Sequence, residues 1–223
     1  NRRGDAVLMS VRSFLVEKAA RTEDALREYF AAWQGMPETL REAMHYSLFA
    51  GGKRIRPVLV LASAEAVGGS VEEALNTACA FECVHTYSLI HDDLPAIDND
   101  DMRRGAPTCH KAFGEATAIL AGDALLTVAF ELIARTKTSN PSRVIEVIRE
   151  FARASGSVGM IGGQMVDIES EGQDVSFPVL EYIHIHKTGE LMLSAVRCGA
   201  IMGGAGRDQP EALSKYGKGV GLA

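Results

Sequence analysis

The stretch VEEALNTACAFECVHTYSLIHDD, residues 71–93, decides the fold of this chain. Up to His91 it is apolar on most sides of a helix and shows no alternation of period two, so it does not read as a strand. A helix that is apolar nearly all round is normally buried among other helices. We therefore expect a central helix over 71–92 that ends in a pair of aspartates.

The sequence on either side also favours helices, because turn signals are sparse and helix-forming residues are abundant. Four prolines (Pro37, Pro57, Pro141 and Pro178) stand near proposed helix starts, where a missing N–H costs little. The predicted architecture is an all-α, single-domain bundle of long helices around a deep central cavity. Helices are predicted over residues 5–32, 37–50, 57–67, 71–92, 116–136, 141–170 and 176–203.

Bulk properties exclude several classes of function. The net charge of −6 argues against nucleic acid as the main partner. No apolar run suggests a membrane span, and no apolar signal region follows the polar N-terminus. The four cysteines match neither a zinc site nor a dense disulfide framework, which favours buried thiols in a reducing compartment. We expect a cytoplasmic protein with small-molecule partners.

The densest cluster of charge is HDDLPAIDNDDMRRG, residues 91–105. Asp92 and Asp93 would close the central helix, and the proline that follows would let Asp98 fold back towards them. Neighbouring carboxylates repel unless cations lie between them, and Mg²⁺ takes one or two carboxylates together with water and phosphate oxygens. Arg103 and Arg104 offer planar guanidinium groups that suit phosphate. Together these residues predict a metal–diphosphate site.

A second candidate anion site is GGKRIRP, residues 51–57. Its glycines allow a close backbone approach, and Lys53 and Arg56 supply positive charge. It is not a P-loop, because the glycine spacing and the Ser/Thr after Lys are absent. His85 lies seven residues before Asp92, on nearly the same helix face, and could donate to a phosphate held near Lys53 and Arg56.

Two later segments carry weaker signals. In GGQMVD, Gln164 and Asp167 are three residues apart and share a helical face. In HKTG, Lys187 and Thr188 place a charge and a hydroxyl inside an otherwise apolar helix. Each of these pairs alone could equally be structural.

The chain resembles the trans-isoprenyl diphosphate synthases, in particular the bacterial farnesyl diphosphate synthase type. The matching stretches appear in the family's order between residues 51 and 192. Four residues separate the Asp pair from the next Asp, which is the longer spacing of bacterial and plastid members. The similar stretches are GGKRIRP, TYSLIHDDLPAIDNDDMRRG, PTCHKAFGEATAILAGDALL, GGQMVDI and HKTGELM.

The resemblance implies an isoprenoid synthase fold, a homodimer, Mg²⁺ as cofactor and head-to-tail condensation of isopentenyl diphosphate with dimethylallyl or geranyl diphosphate. The implied metal ligands are Asp92, Asp93 and Asp98. The implied contacts to the allylic diphosphate are Arg103, Gln164, Lys187 and Thr188. The implied isopentenyl diphosphate set is Lys53, Arg56, His85 and Arg104. The catalytic set at the ionising bond is Asp92, Asp93, Arg103 and Lys187.

Product length follows from the resemblance at Tyr87 and Ser88. An aromatic residue five positions before Asp92, about 7.5 Å along the axis, favours C15 by the family's rule, whereas smaller residues there allow C20. Ser88 is small and leaves room for the substrate. Tyr87 could instead be an ordinary core aromatic, with a floor formed by Phe81, Val84 or a neighbouring helix. Farnesyl diphosphate is the expected product, with a C20 synthase as the alternative.

The family's second Asp-rich motif is missing from these 223 residues. We expect a single polyprenyl synthase domain, residues 1–223, that lacks its C-terminal part. A non-catalytic regulatory subunit of a heteromeric prenyl synthase is the alternative reading. A helical His-Asp phosphohydrolase is a third, suggested by His91-Asp92 with His45 and His85, but it leaves the basic residues of the two phosphate motifs unexplained.

Overall fold

The central helix of the computed structural model is α4, Val71–Asp92, whose bounds coincide with the predicted 71–92. The Ser70 hydroxyl accepts from the Glu72 N–H and caps its start. Most of its side chains are buried, and it packs chiefly against α6 and α3. The sequence expectation of an all-helical protein around this helix is confirmed.

The structure describes residues 2–206 and 209–221, with no side-chain description for residues 2–10 and Pro210. Within these residues one antiparallel hairpin interrupts the helices, and it pairs Arg103 with Ala106. The helices are α1 (Arg2–Ala32), α2 (Glu38–Leu48), α3 (Ile55–Ala66), α4, α5 (Cys109–Phe113), α6 (Glu115–Ala134), α7 (Pro141–Ser155), α8 (Met160–Ser170), α9 (Phe177–Ile183), a π-helix (His184–Gly189), α10 (Glu190–Gly203) and α11 (Gln209–Gly221).

Two segments that were predicted as continuous helices are interrupted in the structure, so these two predictions were wrong. The predicted 141–170 is broken into α7 and α8, because Gly156 adopts an extended conformation after Ser155. The predicted 176–203 is divided by the π-helix, which widens one turn at His184–Gly189. The hairpin of β1 (Met102–Arg103) and β2 (Ala106–Pro107) was not predicted. Its two-residue turn is Arg104-Gly105, and both residues have positive φ, as hairpin turns of this length favour.

The apolar core runs along α4 and joins it to α3, α6, α7 and α10. Phe81 of α4 stacks edge-to-face on Phe151 of α7 at 4.9 Å between ring centroids. Among residues 2–206 and 209–221, α6 alone has the length and the apolar composition that a membrane-crossing helix would need. Core helices of soluble proteins meet the same criteria, and α6 packs against α4.

Candidate active site

A cavity of about 410 Å³ opens beside the C-terminal half of α4. Its wall combines residues from α3, α4, α6, α8 and the π-helix, so segments distant in sequence meet there. One part of the wall is polar and another is apolar, as ligand cavities usually are. The polar lining residues are Arg56, His85, Ser88, His91, Asp92, Asp123, Gln164, Lys187 and Thr188, and the others are Tyr87, Leu89, Ile97, Leu126, Met160 and Ile161.

Asp92 lies at the last turn of α4, where the chain turns back on itself. The Asp98 N–H donates to the Asp92 carbonyl oxygen at 2.8 Å, which confirms that the loop folds back after the helix. The pKa of Asp92 is raised to about 6, chiefly because the carboxyl is buried; Lys187 opposes this rise, and the charge of Asp98 adds to it. A cation beside these two carboxylates would relieve both the desolvation and the repulsion.

Asp93 has a different environment from Asp92. It is 2% exposed, and Arg103 Nε donates to both of its carboxylate oxygens at 2.7 and 2.8 Å. Arg103 Nη2 also lies 3.5 Å from Asp100. Asp93 therefore holds the hairpin against the end of α4, and its predicted role as a metal ligand stays a prediction, as does the contact of Arg103 with the allylic diphosphate.

The protein side chains near Asp92 supply only some of the ligands that Mg²⁺ needs. No cluster of three or more His, Cys, Asp or Glu side chains forms a metal cage among the residues that the structure describes. Mg²⁺ does not need such a cage, since it binds through one or two carboxylates and completes its octahedron with water and phosphate oxygens. The carboxylates of Asp92 and Asp98 suit that role, because the Asp98 charge is near enough to raise the pKa of Asp92.

Facing Asp92 are residues of α8 and the π-helix. Lys187 Nζ donates to Asp167 Oδ2 at 2.7 Å and lies 4.0 Å from Asp92 Oδ2. Gln164 and Thr188 line the same wall, and the buried Gln164 Nε2 has no partner within the described part of the chain. The structure thus brings together Gln164, Lys187 and Thr188, which the sequence could only assign individually.

The basic end of the cavity is formed by Arg56 and His85. Burial and, after it, the charges of Arg56 and Arg104 lower the pKa of His85 to about 2, so the imidazole is neutral at physiological pH. Arg104 donates to the Gly51 carbonyl, and a Cβ at Gly52 would lie 2.8 Å from Arg104 Nη1. The absence of a side chain at Gly52 therefore lets the hairpin arginine close over the loop.

The structure places Arg56 and His85 in the cavity wall and Arg104 near enough to lower the pKa of His85; their contact with isopentenyl diphosphate stays a prediction. Arg103 and Arg104 line a small recess next to the cavity rather than the cavity itself. Lys53 is exposed on the loop and lines neither space. Its contact with isopentenyl diphosphate stays a prediction.

Tyr87 and Ser88 both line the cavity. Tyr87 is 5% exposed, and its hydroxyl finds no hydrogen-bond partner among the described residues. Its ring lies edge-on to His91 at 5.7 Å. The structure therefore places an aromatic ring in the cavity wall near Asp92, where the chain-length prediction requires one.

Sequence reasoning missed His91 as a cavity residue. The His91 ring packs on Gly122 of α6, where an added Cβ would lie 2.1 Å from Nε2, and Nε2 lies 3.0 Å from the Ile119 carbonyl. The geometry does not favour a His-Asp hydrolase site, since the His45 ring packs against Phe49 at 4.4 Å between ring centroids and His85 lies among arginines that would repel a metal ion.

The sequence pattern of the polyprenyl synthetase family matches residues 37–223. The chain belongs to the polyprenyl synthetase family. It is 49% identical over 217 residues to a farnesyl diphosphate synthase of Geobacillus stearothermophilus, covering 96% of this chain and 73% of that protein. It is 50% identical over 214 residues to the heterodimeric geranylgeranyl pyrophosphate synthase large subunit 1 of Arabidopsis thaliana, covering 93% and 56%. The chain thus spans less than two thirds of the plant relative.

Solved structures agree with this family assignment. An FPP/GFPP synthase from Zymomonas mobilis superposes with a TM-score of 0.87 at 40% identity, over 96% of this chain and 78% of that chain. A geranyltransferase from Legionella pneumophila superposes with a TM-score of 0.90 at 37% identity, over 97% and 77%. The predicted resemblance to trans-isoprenyl diphosphate synthases and the predicted isoprenoid synthase fold are confirmed.

Proposed function

We propose that the protein is a magnesium-dependent trans-isoprenyl diphosphate synthase that condenses isopentenyl diphosphate with dimethylallyl or geranyl diphosphate. The observation that carries this proposal is the division of the cavity's polar lining. Lys187, Gln164 and Thr188 face Asp92, while Arg56 and His85 form a separate basic end. Two diphosphates can therefore bind to two different sets of donors in one cavity whose wall also carries apolar side chains.

The allylic partner binds with its diphosphate at the Asp92 side. Mg²⁺ held by Asp92 and Asp98 would neutralise the departing diphosphate as the allylic C–O bond breaks. Lys187 and Arg103 add positive charge, and Gln164 supplies an amide N–H. The neighbouring apolar side chains exclude water from the carbocation.

Isopentenyl diphosphate binds at the basic end, through Lys53, Arg56, His85 and Arg104. The neutral His85 donates one N–H to a phosphate oxygen, while the arginines supply charge. The double bond then attacks the allylic carbon, a C–C bond forms, and a proton is lost from the isopentenyl unit. The departed diphosphate acts as the base and accepts that proton.

We propose farnesyl diphosphate as the main product. The relative from Geobacillus stearothermophilus is named a farnesyl diphosphate synthase, and the Tyr87 ring lies in the cavity wall. Relatives named geranylgeranyl synthases match with similar identity, which makes C20 the competing product. Separation of the products by chain length decides between them: C15 is expected, and C20 as main product would overturn the assignment.

We further propose a homodimer and a cytoplasmic location for this polyprenyl synthase domain. Ile119 and Leu120 of α6 are large apolar side chains, 44% and 58% exposed. A second copy of the chain would cover such surface. Light scattering tests the dimer, and Leu120→Glu should shift it towards monomer. All four cysteines are buried free thiols, which suits a reducing compartment; cell fractionation tests the location.

The catalytic proposal is tested with the product of the intact gene, by following release of inorganic pyrophosphate. Release should require Mg²⁺ and both substrates, and EDTA should abolish it. Asp92→Ala should lower the rate roughly 10²–10³-fold, since it removes metal ligation at the ionising bond. Asp101→Asn is the control within the same acidic run, because Asp101 is exposed and pairs with Lys111.

Two outcomes would contradict the catalytic proposal. Release of phosphate or pyrophosphate from one substrate alone would indicate a hydrolase. A folded wild-type protein without turnover, active only with a second subunit, would support the regulatory alternative.

A further inference from the structure

Two oppositely charged side chains lie buried beneath the basic end of the cavity. Arg54 is 4% exposed and Glu82 is 2% exposed, and Arg54 Nη1 lies 2.5 Å from Glu82 Oε1. Arg54 Nη2 also donates to the Leu48 carbonyl at 2.8 Å. Neither charged residue lines the cavity, so neither belongs to the site described above.

A buried ion pair is a poor way to stabilise a fold. Removing two charges from water is costly, and well-packed apolar side chains of similar volume often serve as well or better. The third charge near the pair, Glu23 Oε2 of α1, lies 3.9 Å from Arg54 Nη2. Because stability alone does not account for a buried ion pair, the segments that the pair joins are the better guide to its role.

That position links the two segments that form the basic end. Arg54 is the last residue of the loop 51–54, between Lys53 and Arg56 of α3, and it adopts φ of 52°, a left-handed conformation that is uncommon for a residue other than glycine. Glu82 lies one turn before His85 on α4, three residues away. The pair thus fixes the loop to the helix face that carries His85.

The pair also places a carboxylate among the guanidinium groups. Burial lowers the pKa of Arg56, the Glu82 carboxylate raises it, and Arg104 lowers it. Burial also lowers the pKa of Arg104, and the Glu82 carboxylate raises it. The Glu82 carboxylate thus offsets the mutual repulsion of the guanidinium groups of Arg54, Arg56 and Arg104.

We infer that Arg54 and Glu82 are positioning residues, which fix the loop 51–54 and the start of α3 on α4 and balance the charge beneath the isopentenyl diphosphate site without touching the substrate. This inference rests on the proposed function, because it concerns one of the two substrate sites. The buried Arg54–Glu82 pair would then affect the binding of isopentenyl diphosphate and leave the binding of the allylic substrate unchanged.

The test compares KM for isopentenyl diphosphate with KM for geranyl diphosphate in the product of the intact gene. Glu82→Gln should raise KM for isopentenyl diphosphate about tenfold or more, equivalent to ~1.4 kcal/mol of binding free energy. KM for geranyl diphosphate should change by less than about twofold, since Lys187 and Gln164 belong to another wall. Calorimetric titration with isopentenyl diphosphate should give the same loss without depending on turnover.

The double variant Arg54→Met, Glu82→Leu separates positioning from stability. Apolar replacement of both partners should preserve the fold, because it leaves no unpaired buried charge. The inference predicts a raised KM for isopentenyl diphosphate in this folded protein. A normal KM there would overturn it and would leave the pair a purely structural role.

Lys18→Met is the matched control. Lys18 of α1 is 4% exposed and pairs with Glu65 of α3 at 2.6 Å, away from the cavity. Its loss should lower stability while both KM values stay as in the wild type, and an equal rise in KM for isopentenyl diphosphate would overturn the inference. A wild-type protein without turnover would contradict the proposed function instead, so the two failures are distinct.

Discussion

Lys187 lies between two carboxylates that belong to different helices. Its Nζ donates to Asp167 Oδ2 of α8 at 2.7 Å and is 4.0 Å from Asp92 Oδ2 at the end of α4. Burial lowers the pKa of Lys187, but the bond to Asp167 and the charge of Asp92 raise it above its ordinary value. Lys187 is therefore charged and within a side-chain rotation of the allylic site.

This arrangement predicts that the two diphosphates depend on different cations. Lys187→Ala should raise KM for the allylic substrate about tenfold or more, because it removes a partly buried charge at that site. Lys53→Ala should raise KM mainly for isopentenyl diphosphate. Steady-state kinetics with each substrate varied in turn measure both, and equal effects on the two substrates would count against the division.

Gly163 explains how Lys187 comes so close to α8. A Cβ at Gly163 would lie 2.3 Å from the Lys187 backbone nitrogen. Gly163→Ala should therefore push the π-helix away, lower the free energy of unfolding by about 1–3 kcal/mol and raise KM for the allylic substrate. Thermal unfolding and kinetics measure the two effects.

Gly219 of α11 provides the matched control for that substitution. A Cβ there would meet no atom within 4 Å. Gly219→Ala should be neutral or stabilise the protein by about 0.4–1 kcal/mol, with unchanged KM values. If Gly163→Ala also left stability and KM unchanged, the close approach of Gly163 to the Lys187 backbone would not be needed for allylic substrate binding.

The Tyr87 ring should limit the length of the product. Tyr87→Ala enlarges the cavity below Asp92, so the main product should shift from C15 to C20 and longer. Products of the intact enzyme are separated by chain length, with Tyr87→Phe as the control, since the hydroxyl has no partner in the described part of the chain. An unchanged C15 product in Tyr87→Ala would place the floor elsewhere, for example at Leu126 of α6.

His85 should make stability depend on pH. Its ordinary pKa is 6.5, and folding lowers it to about 2. Below pH 6.5 the unfolded chain therefore binds a proton that the folded chain does not accept until near pH 2. Stability is retained above pH 6.5 and is lost as the pH falls, by up to ~1.4 kcal/mol per pH unit.

His85→Gln removes this contribution. Denaturant unfolding at pH 6.5 and pH 4.5 should show that the variant loses less stability than the wild type over this interval. Parallel losses in the two proteins would mean that His85 is not buried among the arginines in solution.

The sequence predicted the parts of the site that lie close together in the chain. The helix 71–92 follows from a run that is apolar on most sides without strand-like alternation, and its end and the return of Asp98 follow from a proline; both are local signals. The break at Gly156 and the π-helix were missed, because a helical period does not indicate where one turn widens or where a single glycine ends a helix. The Arg54–Glu82 pair was missed because periodicity does not tell which loop reaches which helix face.

A crystal structure of the intact gene product with Mg²⁺, isopentenyl diphosphate and a non-cleavable allylic thiodiphosphate tests most directly whether one cavity holds two diphosphates on different sets of side chains. We expect the allylic diphosphate among Asp92, Gln164 and Lys187, with metal on the Asp92 side, and isopentenyl diphosphate at Arg56 and His85. Binding of both diphosphates to one of these sets, or outside the cavity, would contradict this expectation.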